Sequence, residues 1–407
     1  MNVILVEPFF PANQREFVRA LAEAGATVIS IGEYPADAFD ADLSDWLYHH
    51  EVVPSVTDVD RMIDVVRGLQ ERLWVDRLEA TIESHTLPAA QVREACSIPG
   101  TSVHTTWLCR DKPSMKQALR EAGVPTAAST AAHSAAEVHD FADHTGFPVI
   151  LKPRAGAGAA GTVRVDGRDD LDRALGAFGA DGVDSIAVEE FVEGHEGFYD
   201  TLTVDGHITH DFVSHYYPNV LEAMRTRWIS PQFIATNRVE TAPDYHELRE
   251  LGQRVVTALG IGTSATHMEW FFGPKGLRFS EIGCRPPGVR AWDLYAVGND
   301  LDLYREWANT IVNGHVDQRP SRRYAAGMIA LRPDQDGHIT GYSGVDEAHE
   351  RYGEWVIDAH FPDPGTPTQS VDAGYLANAW ARLFHPDYDR LRDMLDDIGR
   401  LVQVHAA

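Results

Sequence analysis

Cysteine is scarce in this 407-residue chain, with three residues at positions 96, 109 and 284. The odd number, the wide spacing and the lack of any Cys-x-x-Cys or Cys/His zinc pattern exclude a disulfide scaffold and a zinc ribbon. A reducing compartment fits, so a cytoplasmic location is expected. No apolar run reaches the ~18–20 residues that span a bilayer. The opening residues Met1 to Pro8 carry no charged leader and too short an apolar run for a signal peptide. Basic residues are few: 35 Lys and Arg against 61 Asp and Glu leave a net charge of −26. Phosphate backbones and anionic leaflets both demand basic surface, so nucleic acid and membranes are excluded as general partners. The first strand signal is followed by no Gly-x-Gly-x-x-Gly, and the later glycine-rich stretch lacks the Gly-Lys-Ser/Thr of a P-loop. Internal repeats and low-complexity tracts are also absent.

What is present is ordinary globular composition, 44% hydrophobic and 24% charged. The length is that of two to four domains. Val3 to Val6, a helix near Gln14 to Ala24 and Thr27 to Ile31 read as strand, helix, strand, which predicts a parallel α/β layer over residues 1–107. A second unit, 108–198, opens with a helix capped by Asp111, with Pro113 in its first turn and Gly123 and Pro125 at its end. It continues with strands at Pro148 to Leu151 and Ser185 to Glu190. A third, 199–320, holds a helix from His246 to Leu259 and two strands around Gly273-Pro274-Lys275-Gly276. The remainder, 321–407, has a strand at Gly327 to Leu331 and an amphipathic helix from Asp387 to Val402.

Three features carry chemistry. Lys152 leaves an apolar strand and precedes Ala155-Gly156-Ala157-Gly158-Ala159-Ala160-Gly161-Thr162, a run of small residues whose main-chain N–H groups can close on an anion. The plain alternative is a flexible hairpin loop. Glu269 and Glu281 lie at equal distances from Lys275, so a hairpin symmetric about Lys275 sets them opposite each other on one face. Like charges so placed are destabilising unless a hard cation lies between them, and carboxylates with phosphates are how Mg²⁺ is held. Arg285, four residues after Glu281, can neutralise a transferring phosphoryl group. Its neighbour Cys284 has no His/Asp or His/Asn partner nearby and reads as a small buried residue. Arg225 and Arg227 among aromatics, and Arg290 beside Trp292, suit a small carboxylate; the alternative is salt-bridged surface arginines.

Across Leu108 to Gly288 these pieces resemble the ATP-grasp superfamily of carboxylate–amine ligases, and within it the L-amino acid ligases. The resemblance implies an α/β chain, α+β in its nucleotide-binding part. It would have an N-terminal parallel domain, a mobile lid, a central mixed-sheet domain and a C-terminal extension. It makes Lys112 and Lys152 nucleotide lysines and Gly156, Gly158 and Gly161 parts of a phosphate-covering loop. Val188-Glu189-Glu190-Phe191-Val192 resembles the family's hinge, with adenine read by main-chain groups at Glu190 and Val192, Glu189 near the amino edge and Glu196 on the ribose. Glu269 and Glu281 become ligands of Mg²⁺, with Mn²⁺ as the alternative, and Arg285 the catalytic arginine. Where the family often has Glu-x-Asn-x-Arg, this chain has Gly283 in place of the asparagine. The implied reaction converts ATP, a carboxylate and an amine, amino acids among the candidates, into an amide, ADP and phosphate. A homodimer is the implied assembly. The alternatives are a carboxylase or purine-pathway enzyme of the same fold, a non-catalytic nucleotide-binding protein and a hydroxyl kinase.

Overall fold

The computed structural model describes residues 1–154, 161–178 and 186–407. Gly156, Gly158 and Ser185 lie outside the described residues. The expected parallel layer is present: β1 (Asn2–Val6), β2 (Thr27–Gly32), β3 (His49–Val52) and β4 (Arg77–Glu79) pair in parallel, in the order β3-β2-β1-β4. Val3, Ile4, Leu5 and Val6 are at most 1% exposed, as a strand covered on both faces requires. The helix Gln14–Glu23 packs Phe17 against Tyr304 and Trp307, with ring centroids 4.9 and 5.0 Å apart. These edge-on aromatic contacts fasten the layer to the rest of the molecule.

The helix Lys112–Glu121 forms as its sequence predicts. The Asp111 carboxylate accepts from the Ser114 N–H at 3.2 Å, and Gly123 ends the helix at φ +72°. A small antiparallel sheet follows, made of β5 (Ser129–Ala131), β6 (Val149–Pro153), β7 (Val163–Val165) and β8 (Ile186–Glu190) in the order β5-β8-β6-β7. Arg154, at the end of β6, donates from Nε to Asp111 at 3.0 Å, so the same aspartate caps the helix and anchors this sheet.

The third sheet has eight strands in the order β13-β12-β9-β10-β11-β14-β17-β16. They are β9 (His195–Val204), β10 (His207–Tyr217), β11 (Gln232–Ala235), β12 (Ser264–Gly273), β13 (Gly276–Gly283), β14 (Ala325–Leu331), β16 (Val356–His360) and β17 (Ala379–His385), while β15 (Ile339–Ser343) and β18 (Gln403–Ala406) form a separate ribbon. The sheet therefore runs on past residue 320, where the C-terminal extension adds β14, β17 and β16 to it. Every residue of β14 is buried, the pattern of a central strand. The amphipathic helix Tyr388–Leu401 covers it with Leu391, Met394, Leu395 and Ile398.

The β12–β13 hairpin sets the site, and its register differs in detail from a symmetric one. Gly273 pairs with Gly276 across a two-residue Pro274-Lys275 turn, and Trp270 pairs with Phe279. That numbering would set Glu269 opposite Ser280 and point Glu281 to the other face with Met268, in the apolar core. A β-bulge intervenes: Ser280 is the extra residue, and Glu269 pairs directly with Glu281. The carboxylates face each other because of the bulge, not because of the turn.

Candidate active site

A cleft of about 410 Å³ separates the small sheet from the large one. Nine of the residues singled out in the sequence line it: Lys112, Lys152, Glu189, Glu190, Val192, Glu196, Arg225, Glu269 and Glu281. Lys116 lines it too and escaped the sequence reading. The available signal was its spacing, one helical turn after Lys112.

The lysines come from two elements, Lys112 and Lys116 from one helix and Lys152 from β6, onto two carboxylates. Lys116 Nζ and Lys152 Nζ stand 2.6 and 2.8 Å from Glu189 Oε2. Lys112 Nζ and Lys152 Nζ stand 3.4 and 3.7 Å from Glu281 Oε2. Burial pushes the Glu189 carboxyl up, but Lys116 and Lys152 outweigh it and hold the group at about 2. Burial brings Lys116 down to about 8, partly offset by Glu189. Burial also acts to lower Lys152, yet Glu189 and Glu281 keep it above the usual lysine value. Glu189 Oε2 is thus engaged with both lysines, while Oε1 has no hydrogen-bond partner among the described residues.

This trio makes a stability prediction. A carboxyl depressed to about 2 contributes stability that is present above its unfolded value near 4.5 and is lost as pH falls toward 2. Urea-unfolding midpoints are therefore expected to drop across that window. Glu189→Gln should flatten the drop and cost about 3–5 kcal/mol at neutral pH, because it leaves two buried ammonium groups without their carboxylate.

Glu269 and Glu281 differ in ionisation despite their symmetry. Burial, then Glu281 and Glu196, push Glu269 up to about 8. Burial also acts to raise Glu281, but Lys112 and Lys152 keep it below the usual carboxylate range. Glu269 is the member of the pair whose charge is disfavoured. Two facing, half-buried carboxylates in this condition fit a hard divalent cation. Glu196 is likewise raised to about 7 by burial, against the Val220 N–H that it accepts at 2.7 Å.

At the hinge, the Glu190 N–H is taken by the Ala128 carbonyl at 2.9 Å. The Glu190 carboxylate accepts from Ala128 N–H at 3.1 Å and pairs with Lys275. Of the two main-chain positions expected to read adenine, Val192 is the one without a hydrogen-bond partner among the described residues. It offers a free donor and acceptor at the cleft wall.

The remaining expectations divide. Gly161, at φ +71°, sits beside Pro153 and is not among the residues that line the cleft, although Thr162 is. Arg285 lies outside the cleft, in a small crevice that shares Lys112 and Glu281 with it. Its Nε donates to Glu83 at 2.6 Å. Cys284 is a free thiol whose sulfur lies 3.0 Å from that of buried Cys109. Two substrate candidates are corrected. Arg227 is drawn to Asp336 at 2.6 Å and Arg290 to Asp293 at 2.5 Å, and neither lines the cleft. The surface ion-pair alternative holds for both.

Residues 111–283 match the family model for the ATP-binding domain of the carbamoyl-phosphate synthase L chain. The chain is 28% identical over 251 residues to an L-arginine-specific L-amino acid ligase of Bacillus subtilis, covering 60% of this chain and 60% of that one. It spans about three fifths of the length of such curated relatives. An L-amino acid ligase structure from Bacillus licheniformis superposes with a TM-score of 0.76 at 18% identity, over 100% of this chain and 98% of that one. The biotin carboxylase domain of the Hydrogenobacter thermophilus 2-oxoglutarate carboxylase, solved with MgADP, ADP and bicarbonate, gives 0.67 at 19% identity, over 99% and 90%. No helix among the described residues is long and apolar enough to cross a membrane.

Proposed function

We propose that this chain, which has the ATP-grasp fold and whose residues 111–283 match the ATP-binding domain model of the carbamoyl-phosphate synthase L chain, is an ADP-forming carboxylate–amine ligase. The observation that carries this reading is the directly paired, half-buried Glu269 and Glu281 facing Lys112 and Lys152 in one cleft. Glu269 and Glu281 would hold Mg²⁺, or Mn²⁺ in its place, and the bound cation would neutralise charge on the triphosphate. Val192 presents main-chain groups to adenine, and Glu196 accepts from the ribose. Lys112 and Lys152 orient the phosphates, while Lys116 holds Glu189 and through it Lys152.

In the chemical sequence, a substrate carboxylate oxygen attacks the γ-phosphorus, the bond to the β-phosphate oxygen breaks, and ADP leaves. An amine nitrogen then attacks the acyl carbon, phosphate leaves, and the nitrogen gives up a proton. Positioning and charge stabilisation do the work, and no side chain acts as a covalent nucleophile. Gly156, Gly158 and Gly161 are assigned to covering the phosphates, Arg285 to the developing charge and Arg225 to the substrate carboxylate. Amino acids are the proposed substrates, the cytoplasm the proposed compartment, and a homodimer the proposed assembly, to be read by sedimentation. Similarity to an amino acid ligase supports the substrate class.

The test is magnesium-dependent ADP and phosphate release with amino acids, singly and in pairs, with products identified by mass. Product with particular pairs establishes the ligase and names both substrates. ADP release that requires bicarbonate moves the chain to the carboxylases. ATP binding with no ADP across a wide acid and amine panel overturns the ligase reading in favour of a nucleotide-binding protein.

A further inference from the structure

One wall of the cleft is a short irregular segment between β10 and β11. Asn219, Val220, Leu221, Glu222, Arg225 and Thr226 all line the cavity. Within it only the four residues Val220–Ala223 are helical, too few to hold a position by their own hydrogen bonds. The Glu222 and Arg225 side chains have no ion-pair or hydrogen-bond partner among the described residues, so both charges are free to meet a ligand. The segment's first residues are tied to the start of β9, where Asn219 Nδ2 donates to Gly194 O at 2.8 Å and Val220 N–H to Glu196 at 2.7 Å, while its later residues are held from the far end of the chain.

Arg332, immediately after β14, is half-buried and has no ion pair with a carboxylate among the described residues. Its donors go to main-chain carbonyls of two separate segments. NH1 donates to Thr226 O at 2.8 Å, and NH2 donates to Gly374 O at 3.0 Å and Val371 O at 3.3 Å. A guanidinium can span both segments because its five N–H groups lie in one rigid fork, which an ammonium cannot reproduce. The 371–375 strap is seated on the same wall by two further contacts. Tyr375 OH donates to Pro218 O at 2.8 Å. Gly374, at φ +62°, lies so close that a Cβ there would sit 3.3 Å from Met224 Cγ.

We propose that Arg332 is a positioning residue which, by tying the Thr226 carbonyl to the 371–374 strap, holds the Arg225 guanidinium in the cleft and so sets the affinity for the carboxylate-bearing substrate. The assignment rests on the ligase reading for its substrate, whereas the clamp itself does not. Residues after 320 thus shape the substrate side of the cleft without lining it.

The test uses the full-length protein in two assays. In limited trypsin digestion, the bonds after Arg225 and Arg227 are expected to be cut about tenfold faster in Arg332→Ala than in the wild type, with other sites unchanged. Arg332→Lys should fall between the two. In kinetics with an amino-acid pair that the wild type ligates, Arg332→Ala should raise KM for the carboxylate donor about tenfold. The KM for ATP and kcat should stay within about threefold. Arg225→Ala combined with Arg332→Ala should be no worse than Arg225→Ala alone, since one acts through the other. Unchanged trypsin cleavage, equal rises in KM for ATP and for the donor, or additive losses in the double variant would each overturn the proposal. A wild type that ligates nothing would sink the ligase reading, and the digestion would still decide the clamp.

Discussion

Glu281→Ala is expected to lower magnesium-dependent ADP release by about three orders of magnitude, roughly 4 kcal/mol of transition-state stabilisation. Glu281 is the ionised member of the facing pair, kept so by Lys112 and Lys152 against its own burial. Burial, then Glu281 and Glu196, push Glu269 up to about 8, which makes it the weaker anion of the pair at neutral pH. Removing Glu281 therefore removes the anion on which cation binding begins. Nucleotide affinity should respond in the opposite direction when magnesium is absent, because Lys112 and Lys152 lose a competing carboxylate 3.4 and 3.7 Å away. Equilibrium dialysis of ATP with and without magnesium, beside an ADP-release assay, reads both effects. Turnover within tenfold of the wild type would take Glu281 out of the reaction.

Arg285→Ala is expected to reduce ligation by about 10²–10³ while ATP binding stays within a few-fold. The separation follows from its location. Arg285 is not among the residues lining the cleft, and the crevice that it lines is shared with Lys112 and Glu281, through which it would reach the developing charge in the proposed reaction. Its Nε is held by Glu83 and its NH1 by the Pro286 carbonyl at 2.8 Å, so the guanidinium is oriented before any substrate arrives. A preorganised cation beside the phosphates stabilises charge that develops in the transition state and contributes little to ground-state nucleotide binding. Product formation by mass, with ATP affinity measured separately, checks this. Equal losses in both quantities would make Arg285 a nucleotide-binding residue.

Both predictions rest on residues that are visible in the sequence, but the geometry behind them is not. The equal spacing of Glu269 and Glu281 about Lys275 suggests that they face each other. They do face each other, yet the turn alone would have separated them, and the bulge at Ser280 restores the pairing. A bulge is decided by the strain and packing of the whole hairpin against its neighbours, which single-residue patterns do not encode. Lys116 illustrates a different gap. Helical spacing puts it on one face with Lys112, but only the approach of β8 brings Glu189 to within 2.6 Å and makes a buried ion pair of an otherwise ordinary lysine. Arg227 and Arg290 show the reverse error. Each has the right chemistry for a substrate carboxylate, and each is satisfied by a nearby aspartate.

The sequence by itself determined what local forces decide. Apolar runs and helical periodicity placed the parallel layer, Asp111, Pro113 and Gly123 bounded the helix that carries two lysines, and the residue types on the two hairpin strands named the acids. The tertiary structure alone decided which charges meet. It set Glu189 between Lys116 and Lys152, left the Val192 main chain without a partner among the described residues, drew Arg285 toward Glu83, and carried the large sheet through β14 so that Arg332 reaches a loop 106 residues earlier. The physical reason is that ionisation, pairing and loop position depend on burial and on distances between segments far apart in the chain. Those distances are fixed only when the sheets close on one another.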